Sequence, residues 1–279
     1  SSNLALQKVK RLFGIKKAGH AGSLDPLATG MLPICLGEAT KVCHYLLNAD
    51  KGYEATGLLG IKTNTSDSTG EAIAVIEDFC ISNETLSATL QSFLGTIQQI
   101  PSMFSALKHQ GKALYHYARA GIEVERKARD IEIKTLELVS FNGKHFQLKI
   151  QCSKGTYIRN LIEDIGDTLG VGAHMTQLHR TYTSGFEDKK MYTINELTEM
   201  TVAKRMDCLI PMDQAIDHLE KIMITVDEVL ALRQGRVIVK DMNLNPNTLF
   251  RIYDCNHQFI GLVQSLSASE IKAKRLLAY

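Results

Sequence analysis

Apolar residues recur at helical spacing in Leu4, Ala5, Val9, Leu12 and Phe13, with Lys8, Lys10 and Arg11 on the remaining faces, which predicts an opening helix. Residues 19–37 are punctuated by Gly19, Gly22, Pro26, Gly30, Pro33 and Gly37 and read as an ordered loop rather than regular structure. A helix is expected from Glu38 to Leu47. Lys51–Leu59 then reads as a strand, because Tyr53, Ala55 and Leu59 fall on one face. Ile61–Gly70, containing TNTSDSTG, reads as a polar loop. Leu86, Leu90, Phe93 and Leu94 predict a further helix, closed by Gly95 in the position of a C-terminal cap.

Residues 100–130 have little apolar periodicity, and Lys108, Lys112, Arg119, Arg126, Lys127 and Arg129 outnumber Glu123, Glu125 and Asp130. A protruding helical loop is expected there. The cleanest strand is His145–Cys152, where Phe146, Leu148, Ile150 and Cys152 alternate with His145, Gln147, Lys149 and Gln151. It leads through Lys154-Gly155 into a helix carrying Ile158, Leu161, Ile162, Ile165 and Leu169, stopped by Gly170, so Tyr157 and Arg159 belong to its first turn. Thr193-Ile194-Asn195-Glu196 and Thr225-Val226-Asp227-Glu228 have capping-box form. Beyond residue 222 come one short helix and several short strands, including Arg236–Lys240, Thr248–Tyr253 and Phe259–Val263. This change of texture predicts a small β-rich domain at 222–279, after a larger one at 1–221.

Composition narrows the class. At 279 residues the chain can hold one large domain, or a large domain plus a small one, and 44% hydrophobic with 22% charged residues is ordinary for a globular protein. The longest apolar runs fall far short of the roughly 18 residues a membrane helix needs, so no membrane association is expected. Cys35, Cys43, Cys80, Cys152, Cys208 and Cys255 are scattered without a CxxC pair, as for reduced thiols in a cytoplasmic protein. A net charge of only +2 means that any nucleic-acid binding must rest on a local basic surface.

Most chemistries lack their motifs. There is no phosphate-binding glycine loop or dinucleotide fingerprint, no HExxH, no cysteine at zinc-like spacing from His174 or His179, and no GxSxG elbow. Neither a metal nor a cofactor is expected. What remains is Gly19-His20-Ala21-Gly22-Ser23-Leu24-Asp25-Pro26-Leu27-Ala28-Thr29-Gly30. Judged alone, Asp25 is more simply a turn or cap residue than a catalytic one. A histidine and an aspartate on one small-residue loop nonetheless make it the best candidate site, since glycines admit close approach of a substrate backbone.

The stretch GHAGSLDPLATGMLPICLGEATK, residues 19–41, resembles the signature of the tRNA pseudouridine synthase B family. Four later stretches agree in order: Lys51-Gly52-Tyr53; Thr63-Asn64-Thr65-Ser66-Asp67 with Gly70; Ile100–Lys108; and Cys152–Arg159. The resemblance covers residues 1 to about 190 well and the rest loosely. It implies an α+β chain with a mixed, largely antiparallel central sheet flanked by helices and loops, plus a small PUA-like C-terminal domain. It implies isomerisation of uridine 55 in the tRNA T loop, with Asp25 as the nucleophile and Arg159 pairing with it. Tyr53 would stack on the target base, Tyr157 and Leu178 would line its pocket, and His20 would fill the gap left by the flipped uridine. Segment 100–130 would close over the T arm of the tRNA, and the enzyme would act as a monomer with no obligate protein partner. Two departures stand out: the family strand with a Lys-Pro pair has no counterpart before the first helix, so an earlier segment is expected, and Glu123–Ile131 lacks the prolines frequent in relatives.

Overall fold

The computed structural model describes residues 1–278, which fall into two compact units. One comprises residues 24–31 and 48–187; the other comprises residues 1–23, 32–47 and 188 to the end of the described residues.

The first unit is built on a six-stranded sheet in the order Thr29–Gly30, Ala173–Thr183, Lys51–Leu59, His145–Cys152, Arg129–Phe141, Gly95–Gln99. Only the two-residue strand Thr29–Gly30 runs parallel to its neighbour; every other pairing is antiparallel, so the sheet is mixed but largely antiparallel. One face is apolar. Tyr53, Ala55 and Leu59, then Phe146, Leu148, Ile150 and Cys152, then Ile131, Ile133 and Leu136 all point to it. Helix Ile158–Thr168 lays Ile158, Leu161, Ile162 and Ile165 on that face, and helix Asn83–Gln91 adds Leu86 and Leu90. Each such side chain removed from water contributes roughly 1.5–3 kcal/mol before the entropy of ordering is set against it. The opposite face carries Glu54, Thr56, Gln147, Lys149 and Gln177, which line an open polar groove.

Several expectations need correction. The segment 19–37 is not wholly a loop: Ala18–His20 pairs antiparallel with Ile34–Leu36, while Thr29–Gly30 joins the central sheet. The helix expected at 38–47 is a 3₁₀ turn, Gly37–Lys41, followed by a short α-helix, Cys43–Leu47. Ile61–Thr63 forms a hairpin with Ala72–Val75 rather than staying a loop. Helix Asn83–Gln91 ends at Ser92, and Gly95, with φ of +85°, opens the edge strand instead of capping the helix. In segment 100–130 the only α-helix is Leu114–Ala118, beside a small hairpin of Lys108–His109 with Lys112–Ala113. Too few apolar positions there can be buried together to sustain more.

In the second unit, helix Ser2–Leu12 is capped by the Ser1 side chain. Both capping boxes form, at Thr193 and Thr225. The C-terminal sheet runs Lys221–Met223, Leu249–Tyr253, Phe259–Ser265, Glu270–Leu276, Ile238–Val239. Ile252, Val263, Ile271 and Leu232 form one of its cores, and Leu262, Phe259 and Leu277 form another with Val42 and Ile216. Lys41 donates to the Leu276 carbonyl at 2.7 Å, and the Ala278 amide donates to Glu38 at 2.8 Å.

Candidate active site

Asp25 stands on the short segment that ends in the Thr29–Gly30 strand. That strand approaches the sheet so closely that a Cβ on Gly30, which has φ of +96°, would lie 2.2 Å from the Arg180 carbonyl oxygen. Only glycine fits there. The Met31 amide donates to that same carbonyl at 2.8 Å, and the Arg180 Nε returns a bond to the Met31 carbonyl at 2.6 Å. The Asp25 segment is thereby stitched to the sheet six residues beyond the carboxylate.

Arg159 lies in the first turn of helix Ile158–Thr168, where the sequence pattern put it. Its guanidinium grips Asp25 as a fork: Nε donates to Oδ2 at 2.8 Å and Nη2 to Oδ1 at 3.2 Å. The remaining donors go to backbone carbonyls, Nη1 to Thr65 at 3.0 Å and Nη2 to Phe104 at 3.2 Å. Asp67 Oδ2 stands 3.8 Å from Nη1 on the far side. Arg159 is 3% exposed, whereas the Asp25 side chain remains 32% exposed, so the pair is buried at its cationic end and open at its anionic end. Such a bidentate, charge-assisted pair fixes the plane of a carboxylate.

Asp67 came out of a segment expected to be a plain polar loop, and it is 4% exposed. Its Oδ1 accepts from Thr65 Oγ1 at 2.8 Å, from the Thr69 amide at 3.0 Å and from Thr69 Oγ1 at 2.6 Å. The threonine-rich loop is therefore wound around a buried carboxylate that faces Arg159. The signal in the sequence was the Thr-x-Asp-x-Thr spacing, which suits an aspartate accepting from neighbours two residues away.

Tyr53 is 8% exposed, on the apolar face, in register with Ile150 on one side and Arg180 on the other. Burial pushes its phenol up to about 12, against the pull of the neighbouring Arg180 guanidinium, which hydrogen-bonds to it; Asp25 is close enough to add a smaller upward push. Tyr157 caps the Arg159 helix and is held there by Gln99, whose side-chain oxygen accepts from the Tyr157 amide at 2.7 Å and whose Nε2 donates to the Tyr157 carbonyl at 3.0 Å. Leu178 is buried on strand Ala173–Thr183, opposite Ala55. His20 ends strand Ala18–His20, half-buried and paired with Ile34, in the other compact unit. The structure thus brings Asp25, Arg159, Tyr53, Tyr157 and Leu178 into one unit and adds Asp67 and Arg180.

No group of three or more potential metal-ligating side chains occurs among the described residues. No helix there is long and apolar enough to cross a membrane. In segment 100–130, Lys112 lies 5.1 Å from the centre of the Tyr117 ring and Arg119 lies 5.5 Å from that of Tyr115.

A mixed sheet covered by helices on one face, together with a β-rich C-terminal region, is the fold of the pseudouridine synthases. The fold is similar to that of the archaeal box H/ACA sRNP Nop10–Cbf5 complex, with a TM-score of 0.74 at 24% identity over 99% of this chain and 81% of that one. It is equally similar to an H/ACA RNP bound to a substrate RNA containing 2′-deoxyuridine, with a TM-score of 0.74 at 23% identity over 100% of this chain and 81% of that one.

Residues 10–158 match the model of the TruB family pseudouridylate synthase N-terminal domain. Residues 159–231 match the tRNA pseudouridylate synthase B C-terminal domain, and residues 221–277 the C-terminal region of pseudouridine synthase II TruB. The tRNA pseudouridine synthase B of Legionella pneumophila is 60% identical over all of this chain and 92% of its own length. That of Methylobacillus flagellatus is 48% identical over 99% of this chain and 91% of its own. The chain belongs to the TruB family of pseudouridine synthases.

Proposed function

We propose that this protein isomerises uridine 55 in the T loop of tRNA to pseudouridine, with Asp25 as the nucleophile and the target base flipped out of its stack. The observation that carries this reading is the two-pronged grip of Arg159 on Asp25, at 2.8 and 3.2 Å, which holds a partly open carboxylate in a fixed plane against a buried cation. The relatives named as tRNA pseudouridine synthase B, matching nearly end to end, support tRNA as the substrate.

The reaction breaks the N1–C1′ bond and makes a C5–C1′ bond; the proton leaves C5 and N1 gains one, so nothing is added or lost. Attack at C1′, addition at C6 and removal of a C2′ proton all require a carboxylate presented where sugar and base meet. Tyr53 offers a ring for the base to stack on and a hydroxyl to help remove the C5 proton. Leu178 and Tyr157 complete an apolar wall, and His20 takes the place of the flipped uridine. Extrusion costs a few kcal/mol of stacking, which a planar side chain partly restores. RNA is recognised chiefly through loop shape, splayed bases and backbone. Segment 100–130, with Lys112 and Arg119 laid on tyrosine rings, closes over the T arm, and the PUA-like region 222–279 adds RNA contacts to the catalytic domain at 1–221. The enzyme works as a cytoplasmic monomer with no obligate protein partner.

The test uses unmodified tRNA transcript with chemical mapping of pseudouridine, for the parent and for Asp25→Asn. Product at the T-loop uridine, lost in Asp25→Asn while tRNA binding persists, is the expected result. Undiminished product from Asp25→Asn rules out the nucleophile. Binding without product from the parent would make the protein an RNA-binding module that kept the fold.

A further inference from the structure

Arg180 is 1% exposed, in the sheet interior beside the site, and no motif drew attention to it. A guanidinium is costly to bury, and this one is not on an apolar surface by default. Its backbone carbonyl and its Nε both bond to Met31, which fixes the end of the Asp25 segment. Its strand position is directly across from Tyr53, and the guanidinium hydrogen-bonds to the phenol. One side chain therefore touches the elements that carry both the carboxylate and the tyrosine.

The direction of the second contact has a consequence. Arginine has only donors, so the phenol oxygen must accept from it. The phenol's own proton is then turned away from Arg180, and any negative charge that develops on the oxygen is met by a fixed cation. We infer that Arg180 is a positioning residue for Tyr53: it orients the hydroxyl and lowers the cost of charge on the phenol oxygen while the C5 proton is removed, and through Met31 it holds the Asp25 segment in register with it. This rests on the assignment of Asp25 and Tyr53 made above. The charged and titratable groups facing the Tyr53 phenol are Arg180 from strand Ala173–Thr183, Cys152 from strand His145–Cys152, and Asp25 from the loop. Of these only Arg180 favours the phenolate, whereas Asp25, Cys152 and burial all oppose it.

Two measurements on the full chain decide the matter. In the first, turnover and tRNA affinity are measured for the parent, Arg180→Lys, Arg180→Met, Tyr53→Phe and the Arg180→Met/Tyr53→Phe double variant, with transcript carrying uridine deuterated at C5. Arg180→Met is expected to lower kcat by roughly tenfold to a hundredfold, the lower range of a positioned acid–base group. It should also enlarge the C5 isotope effect and leave tRNA affinity within about threefold, with Arg180→Lys recovering part of the rate. In the Tyr53→Phe background the same substitution should cost less than about threefold, because coupled residues are not additive. A full multiplicative loss in the double variant, or an isotope effect unmoved in Arg180→Met, overturns the inference.

The second measurement needs no substrate and uses Arg180→Lys should Arg180→Met fail to fold. 3-Fluorotyrosine is placed at position 53 and its fluorine resonance is titrated. The phenol should ionise at higher pH in the Arg180 variants than in the parent, and identical titrations overturn the inference. A parent that makes no pseudouridine would refute the proposed function, and this titration would still decide the Arg180–Tyr53 coupling.

Discussion

Replacing Arg159 by lysine keeps the positive charge and removes the fork, which separates the two things the residue supplies. In the structure the guanidinium makes four hydrogen bonds, two to Asp25 and one each to the Thr65 and Phe104 carbonyls. A lysine ammonium on a shorter reach can satisfy the carboxylate at one oxygen and leaves two or three of these unmade. Hydrogen bonds to charged groups are worth about 1.5–3 kcal/mol each. The two carbonyls lose a buried partner outright, while Asp25, whose side chain is 32% exposed, recovers part of its loss from water. The net cost in unfolding free energy is expected at about 2–4 kcal/mol, read from urea midpoints at constant slope. Activity should fall more steeply than the remaining charge suggests. A carboxylate free to swing by about 1 Å loses on the order of a hundredfold in rate. The assay is release of tritium from transcript labelled at uridine C5, run where both proteins are fully folded. If Arg159→Lys keeps the parent rate within about threefold, charge and not bidentate geometry aims Asp25, and the reasoning fails.

Burial, reinforced by Glu163 and Asp167, raises the Asp164 carboxyl from its ordinary 3.8 to about 6. A carboxyl raised on folding favours the native state fully below pH 3.8 and loses that contribution as pH rises through 6, so Asp164 is a liability at neutral pH. Because the group is only partly buried, Asp164→Asn is expected to stabilise by about 1–2 kcal/mol at pH 7.5 after discounting for solvent; chemical denaturation from pH 8 to pH 5 should show the gain shrinking, and a gain that grows toward acid would contradict the assignment. Gly57→Ala would place a Cβ 2.3 Å from Phe146 Cζ and 2.9 Å from Ile162 Cγ2, between the sheet and its covering helix. A loss of about 1–3 kcal/mol is expected, as for overpacking elsewhere, and an unchanged thermal midpoint would mean that the helix yields freely.

How much of this was readable in the chain depended on how clean each pattern was. His145–Cys152 buries every second residue without interruption, and its period showed plainly. Arg129–Phe141, the longest strand, escaped notice because irregularities between Ile133 and Thr135 and between Leu138 and Ser140 shift its inward set partway along. Ala173–Thr183 hid for a second reason: it is irregular too, and it turns His174 and Arg180 inward, so polar residues occupy buried positions. The site divides along similar lines. Asp25, Tyr53, Tyr157, Arg159 and Leu178 were reached through a resemblance, since an aspartate in a glycine-rich loop and an arginine at a helix start are each commonplace. Asp67 and Arg180 were missed because a charged residue in a linear pattern reads as solvent-facing. The fold shows Thr65 and Thr69 enclosing one, at a spacing the chain already carried, and Met31 and Tyr53 bracketing the other, which no spacing announces.

The two-residue strand Thr29–Gly30 joins the sheet to a partner some 150 positions later in the chain. A contact of two residues gains little of its own against the entropy of closing so long a loop, so it is expected to form after the longer antiparallel strands. The same brevity makes it the cheapest part of the sheet to release. Amide exchange at Met31 should therefore run far ahead of exchange at Ala55 or Ile150, by an opening that leaves the core intact. The hold on the segment that carries Asp25 is in that sense expected to be the last part of the sheet to close on folding and the first to open.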